Sequence, residues 1–487
     1  MRKAKIVSTL GPASSSAAML EQLIAAGVNV FRLNFSHGSQ QDHIDLVYRI
    51  RQVEKKLNCP VAILQDLQGP KIRVGKLVEE PILLKSGGKL TITTQDLMGN
   101  ADRVSTTYEH LPHDVKPSDR ILIDDGNIEL VVRDVQGVDV VCEIVVGGLL
   151  KSNKGINLPG VQVSAPSLTA KDRKDLEVGM ALDVDFVALS FVRKPEDVNE
   201  VKHIIKRAGK DIPVIAKLER AEAVAQLESI LAVADGVMVA RGDLGVEMSP
   251  EEVPVIQKRI ITAANRAGVL VITATQMLES MTENPRPTRA EASDVANAIF
   301  DGTDAVMLSG ETAVGKYPVR TVEMMARIVE TAEDSMQVDM AFFQARKSDE
   351  PLSFPDAIGQ AAAAVSVAVA PKAIVAFTQS GSTARLISKR RPKSPIIAFT
   401  PSERIWRRLC LCWGTDSRLI EIMDDTDRLM AEVEARLLVE GSVRLGDTLV
   451  ILAGAPITAR AETNLLKLHR VGDTQIILAE VGKNENQ

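Results

Sequence analysis

The sequence predicts an α/β protein in three parts: a (β/α)₈ barrel of the TIM type, a small β-barrel lid inserted into it, and a C-terminal α/β domain. Three observations predict this. Eight short apolar runs alternate with stretches of helical spacing, which implies parallel strands crossed over by helices. The rhythm breaks once, for about a hundred residues of a different pattern, between the third and fourth runs. Beyond about residue 345 a second, shorter series of apolar runs begins.

The eight runs are "KIVSTL" (5–10), "VNVFRLNF" (28–35), "VAILQDL" (61–67), "DFVALSFV" (185–192), "PVIAKLE" (213–219), "GVMVARG" (236–242), "VLVITATQM" (269–277) and "DAVMLSG" (304–310). Most are apolar at both parities, as strands covered on both faces are. Eight such units fit a closed barrel better than an open sheet. Helices fill the intervals; at Thr288, with Glu291 three residues on, a capping-box pattern marks a helix start. The barrel is expected over residues 1–70 and 167–345.

In the gap, "KLTITT" and "RILIDDGNIELVVRDVQGVDVVCEIVVGG" alternate apolar with polar residues and carry Asp-Gly and Gly turns, a hairpin signature. Residues 71–166 are therefore expected as the inserted β domain at the mouth of the barrel, placed to act as a lid. A charged stretch, "QARKSDEPLSFPD", reads as a linker. "KAIVAFT", "SPIIAFT" and "DTLVILAG" then supply strands for the C-terminal domain, expected over 346–487.

Composition narrows the function classes. The 487 residues are 45% hydrophobic and 25% charged, as in ordinary soluble proteins. A net charge of −6 weighs against nucleic acid as a partner. No apolar stretch is long enough to cross a bilayer, so no membrane association is expected. Four cysteines, Cys59, Cys142, Cys410 and Cys412, lack zinc-site spacing and fit a reducing cytoplasm, with Cys410 and Cys412 packed in the C-terminal domain.

Functional residues of such barrels gather at the carboxyl ends of the strands. There this chain places Arg32, Asn34, Ser36 and His37 after the second strand, and Asp66, Lys71 and Arg73 after the third. Lys217 and Glu219 end the fifth, Arg241, Gly242 and Asp243 the sixth, Thr275 and Gln276 the seventh, Ser309 and Glu311 the eighth. Cations suit an anionic, phosphorylated substrate, and several carboxylates suit Mg²⁺. Any one of these residues, alone, is more often a solvated side chain or an ion-pair partner. "KLE" could be a strand-end ion pair, and "RGD" carries no meaning by itself. Their coincidence on six strands at one end is what points to a site.

The blocks "VIAKLERAEAV", "FRLNFSHG", "VARGDLGVE", "ATQMLESM", "RPTRAEASDVANAIFDGTDAVMLSGETAVGKYP" and "KGINLPG" resemble those of the pyruvate kinases, in the same order and across essentially the whole chain. The resemblance, to bacterial potassium-independent members, implies transfer of the phosphoryl group of phosphoenolpyruvate to ADP, giving pyruvate and ATP. It implies Lys217 at the transferring group and the developing enolate, and Arg32 at the phosphate. Glu219 and Asp243 would hold Mg²⁺, with Mn²⁺ as a substitute. Thr275 and the backbone N–H groups near Gly242 and Asp243 would hold the substrate carboxylate. Thr275 and Ser309 would belong to the chain that protonates the enolate. Asn34, His37, Arg73 and Lys154 would serve the nucleotide. It also implies a homotetramer, in the cytoplasm.

Many members bind K⁺ through residues matching Asn34, Ser36, Asp66 and the Leu67 carbonyl. They carry Glu where this chain has Lys71, and Thr-Lys where it has Leu67–Gln68. K⁺ is therefore not expected to be required here, Lys71 standing in as a tethered ammonium; the bland alternative is a solvated hinge lysine. In the C-terminal domain, "FTQSGSTARL" offers Thr378, Ser380, Gly381, Ser382 and Thr383 at a helix start. This is either a phosphate cradle or a plain N-cap. Similar family loops bind effector phosphates, which favours the cradle. The later stretch "LAGAPITARAETN" (452–464) has no Trp, and Arg460 is its only arginine. The expected effector is therefore a sugar monophosphate or AMP rather than fructose 1,6-bisphosphate. Two rival readings compete: another Mg²⁺-dependent barrel enzyme acting on pyruvate or phosphoenolpyruvate, and a non-catalytic sensor. The lid with a C-terminal domain speaks against the first, and the presence of Lys217, Glu219 and Asp243 against the second.

Overall fold

The computed structural model describes residues 2–336, 352–421, 426–455 and 462–473. Most of the expected linker, and Arg460, lie outside them.

The eight apolar runs close into a parallel barrel. Its strands are Lys5–Thr9, Val30–Asn34, Ala62–Asp66, Phe186–Leu189, Val214–Leu218, Gly236–Ala240, Leu270–Ala274 and Ala305–Leu308. The first pairs with both the second and the eighth, with Ser8 in register with Leu308. Alternation sorts the side chains. Val7, Leu64, Ile215, Met238 and Ile272 belong to the cluster that fills the barrel, while Ile6, Ile63, Val187 and Val271 pack outward against helices. Thr288 caps the helix Arg289–Phe300, and its reciprocal partner is Glu291, as the spacing requires. Ser39–Asp42 and Thr169–Asp172 cap two more barrel helices in the same way.

Between the third and fourth barrel strands, the expected small β-barrel is built from a six-stranded sheet and a two-stranded ribbon around one apolar core. The Asp125-Gly126 turn joins Arg120–Ile123 to Ile128–Gln136, and Gly137-Val138 joins that strand to Asp139–Val146 in the long hairpin.

The C-terminal region forms a five-stranded sheet in which Ala373–Phe377 lies centrally and four strands run parallel. Cys410 and Cys412 are buried and unbridged, in the packed interior. This sheet meets the barrel's floor through ions. Lys5 Nζ donates to the Thr415 carbonyl at 2.6 Å, and Arg407 Nε reaches Glu54 at 2.7 Å. Asp304, fully buried at the base of the eighth strand, is held by Lys389 at 2.5 Å and Arg391 at 2.9 Å. Among the described residues no helix is long and apolar enough to cross a membrane.

Candidate active site

Lys217 is the hub of the barrel's upper rim. It leaves the end of the fifth strand, and its ammonium lies 2.9 Å from Glu219, 3.3 Å from Asp66 and 2.7 Å from Ser190 Oγ. Burial disfavours its charge, but Asp66 and then Glu219 outweigh that, and its pKa stands above the ordinary lysine value. Asp66, buried at the end of the third strand, also takes Arg32 Nε at 2.6 Å. Burial would raise the Asp66 carboxyl; Lys217 and Arg32 overcome this and hold it below the usual range. Arg32 in turn donates to Thr9 Oγ1 at 3.0 Å. Two cations are thus fixed side by side over one carboxylate.

Glu219 is the more stressed acid. Burial raises its pKa, Lys217 pulls it down, Asp243 pushes it up, and the net result lies above the ordinary carboxylate value. The Phe191 N–H donates to Glu219 Oε2 at 2.7 Å, from a backbone at φ +54°. A bulky residue in the left-handed region costs about 1–3 kcal/mol and persists only where its surroundings impose it. Gly69 makes room for it: at φ +69° it carries no Cβ, and one there would stand 2.8 Å from the Phe191 ring and 2.9 Å from Ser190 Cβ.

Asp243 lies in the first turn of the helix Arg241–Glu247, which has no side-chain N-cap. Gly242 lets that turn approach the seventh strand, since a Cβ there would be 2.8 Å from Thr275 Cγ2. Thr275 is at φ +75°, and Arg241 Nη2 donates to its carbonyl at 2.6 Å. Beyond the eighth strand, Glu311 is fully buried and accepts the Ser309 N–H at 2.6 Å. Burial raises its pKa against these backbone donors.

Lys217, Glu219 and Asp243, with Arg32 and Asp66, therefore converge, Thr275 packs beside Gly242, and Ser309 and Glu311 pair with each other at the end of the eighth strand. The other expected residues divide. Asn34 accepts the Ser36 N–H at 3.2 Å, and the Leu67 carbonyl accepts Ser190 Oγ at 2.7 Å, so both already have partners. His37 is held neutral to lower pH than usual by burial, then by Arg73, Lys71 and Arg32, which places those three cations around it. Lys71, Asp243, Arg220 and Asn157 line one cleft between rim and insert. Within the insert, Arg73 Nη1 donates to the Asn153 carbonyl at 2.9 Å and Lys154 pairs with Asp124 at 2.7 Å. Thr378, Ser380, Gly381, Ser382 and Thr383 belong to the C-terminal sheet, apart from this rim. Gly381 N–H is taken by Thr378 Oγ1 at 2.9 Å, and Thr383 meets Thr463 at 2.7 Å.

Sequence reasoning passed over Ser190, Phe191 and Thr9. Ser190 ends the fourth strand, so the strand-end rule that found Lys217 would have found it too. Phe191 acts through its backbone, which no residue type announces.

Among the described residues no three His, Cys, Asp or Glu side chains cluster as a ready-made metal cage. Glu219 and Asp243 nevertheless fit a divalent cation. They are neighbouring acids, the Asp243 charge raising the cost of ionising Glu219, and oxygen donors from substrate and water would complete the shell that Mg²⁺ prefers.

Two family descriptions match the chain: "Pyruvate kinase, barrel domain" over residues 1–322 and "Pyruvate kinase, alpha/beta domain" over 356–469. Curated relatives include a pyruvate kinase of Mycobacterium intracellulare, 46% identical over 98% of this chain and 100% of that one. Another, of Corynebacterium glutamicum, is 47% identical over 97% and 98%. A third, of Staphylococcus aureus strain MRSA252, is 48% identical over 97% and 81%. A crystal structure of a pyruvate kinase from Cryptosporidium parvum superposes with a TM-score of 0.91 at 37% identity, covering 96% of both chains.

Proposed function

The chain belongs to the pyruvate kinase family and is a phosphotransferase, and from that premise we propose how its residues divide the work of moving a phosphoryl group from phosphoenolpyruvate to ADP. The observation that carries the assignment is the buried set Asp66–Lys217–Glu219, with Arg32 on the same Asp66. It presents two fixed cations to a substrate phosphate and leaves the carboxylates to a metal. Phosphoryl transfer asks the protein for position and positive charge, not covalent help.

Arg32 and Lys217 bind the phosphate. The N–H groups of Gly242 and Asp243, with Thr275, hold the substrate carboxylate. Asn34, His37, Arg73 and Lys154 orient ADP, whose terminal phosphate oxygen attacks phosphorus. The bridging P–O bond breaks, its electron pair stays on the enolate oxygen, and Lys217 offsets that charge. Thr275 and Ser309 then pass one proton to carbon 3, giving pyruvate. A divalent ion held by Glu219 and Asp243, Mg²⁺ or Mn²⁺, supplies charge neutralisation when bound; a second ion arrives with the nucleotide. Residues 71–166 act as the lid that excludes competing water.

Three finer features belong to the same reading. Lys71 replaces K⁺: it lies in the cleft and no carboxylate pairs with its ammonium among the described residues. The Thr378–Thr383 loop takes the phosphate of a sugar monophosphate or AMP, and residues 346–487 regulate. The enzyme is a cytoplasmic homotetramer. An interface is supported by the exposed face of helix Phe354–Val369, with Ala357, Ala361, Ala364, Val367 and Ala368, beside the edge strand Leu465–Arg470. The deciding experiment is turnover with phosphoenolpyruvate, ADP and Mg²⁺. Pyruvate and ATP should appear together; pyruvate without ATP would mean a lyase, and neither product would end the proposal.

A further inference from the structure

The return leg of the inserted segment is tied to the barrel by side chains that phosphoryl transfer itself does not use. Asn157 Nδ2 donates to Glu247 Oε1 at 3.2 Å, with both residues buried. Four residues on, the Val161 carbonyl accepts Arg220 Nη2 at 2.9 Å, and the Val163 carbonyl accepts Arg193 Nη1. Arg220 and Glu247 also face each other at 3.7 Å, their side chains 7% and 2% exposed. Burying two charges is costly, and an ion pair alone seldom repays it. Arg220 has a nearer acid in Glu222, at 3.3 Å, so Glu247 is not needed to neutralise it. What Glu247 adds is the bond to the lid.

The placement of these residues is specific. Arg220 directly follows Glu219, and Glu247 stands one helical turn beyond Asp243 in Arg241–Glu247. Asn157 lies three residues after Lys154. One buried pair is therefore adjacent to each of the two metal-site carboxylates and to the lid's lysine.

We propose that Arg220 and Glu247 form a positioning clamp, which holds the lid's return leg in register with Glu219 and Asp243 so that ADP carried by the lid meets the phosphoryl group. The proposal rests on the phosphotransferase mechanism above. Neither residue touches reacting atoms; both act through Asn157 and the Val161 carbonyl.

The test is steady-state kinetics on Asn157→Ala, Glu247→Gln, Glu247→Ala and the double Ala variant, with KM for ADP and for phosphoenolpyruvate measured separately and Mg²⁺ titrated alone by calorimetry. Losing a buried hydrogen bond to a charged group is worth about a decade in affinity. Asn157→Ala should therefore raise KM for ADP about tenfold, leaving KM for phosphoenolpyruvate and Mg²⁺ affinity within about twofold. Glu247→Gln keeps an acceptor oxygen and should fall between wild type and Glu247→Ala. The double variant should resemble Glu247→Ala alone, because the two share one bond. Hydrogen exchange over residues 157–163 should speed up in the same order. A wild type inert towards phosphoenolpyruvate and ADP would overturn the mechanism itself. An active wild type would overturn the clamp alone if KM for ADP did not move, if the two Ala effects added, or if both substrates weakened equally.

Discussion

Replacing Lys217 by methionine separates the two tasks the structure gives that residue. Methionine keeps an unbranched chain of similar reach and removes the charge together with its hydrogen-bond donors, the one to Ser190 Oγ included. The ammonium lies 2.9 Å from Glu219 and 3.3 Å from Asp66. At an effective dielectric constant of about 20, each contact amounts to about 5–6 kcal/mol before desolvation. Desolvating the lysine cancels much of this, and removing one partner of a buried pair typically destabilises by about 3–5 kcal/mol. The lower end is expected, because Arg32 still holds Asp66 at 2.6 Å and Phe191 N–H still holds Glu219. Catalysis should suffer more than folding. Loss of one preorganised donor to developing charge costs about 10²–10³ in kcat. Pyruvate formation under saturating phosphoenolpyruvate, ADP and Mg²⁺ should fall by at least that factor. Denaturant titration of the same sample should show it folded. A folded Lys217→Met variant turning over at the wild-type rate would refute the role, and so would a loss that merely follows the unfolded fraction.

Four other outcomes are expected. Lys217 and Arg32 hold the Asp66 carboxyl below the ordinary aspartate value, so it stabilises the fold above that ordinary value, and the contribution is lost as pH falls through the lower folded value. Asp66→Asn should therefore cost about 3 kcal/mol near neutrality and flatten the acid limb of a stability–pH curve; an unchanged limb would refute it. Gly69→Ala must adopt φ +69° and push on Ser190 and Phe191, so turnover should drop about tenfold with roughly 2 kcal/mol of stability, whereas a silent substitution would show that the hinge is not strained. Wild type should be fully active with Mg²⁺ and a bulky organic cation, and Lys71→Glu should be severely slowed and partly rescued by K⁺. A wild type dependent on K⁺ would reduce Lys71 to a hinge residue. Activation curves should respond to a sugar monophosphate or AMP, and a selective response to fructose 1,6-bisphosphate would sink that assignment.

The barrel was legible because its strands are covered on both faces. Each of the eight apolar runs contains the observed strand, and Thr288 starts a helix where the spacing placed it. In the C-terminal sheet the three apolar runs became the three inner strands, but Thr415–Leu419 and Leu465–Arg470 were not read. Both lie at sheet edges and neither is an apolar run: Leu465–Arg470 exposes Lys467, Leu468 and Arg470, while "TDSRL" buries the polar Thr415 and Ser417. The site was legible to the extent that it uses side chains at strand ends. Ser190 satisfied that rule and was overlooked. Phe191 could not be read, since its contribution is an N–H aimed by a left-handed backbone, packed where Gly69, more than a hundred residues earlier, has no Cβ to obstruct it. The Asn157–Glu247 bond was equally hidden, because 90 residues separate the partners.

Asp304 has a consequence for the cooperativity of unfolding. It is fully buried, and both of its cations, Lys389 and Arg391, come from the C-terminal region. Lys5, at the base of the neighbouring strand, likewise gives its ammonium to the Thr415 carbonyl. Taking the C-terminal region away would strip both cations from Asp304, leaving it the Val271 N–H, and the Thr415 carbonyl from Lys5, beneath the first and eighth strands, the seam where the barrel closes. The isolated barrel is expected to open first at that seam, and denaturant should unfold the two regions of the whole chain in one transition rather than two.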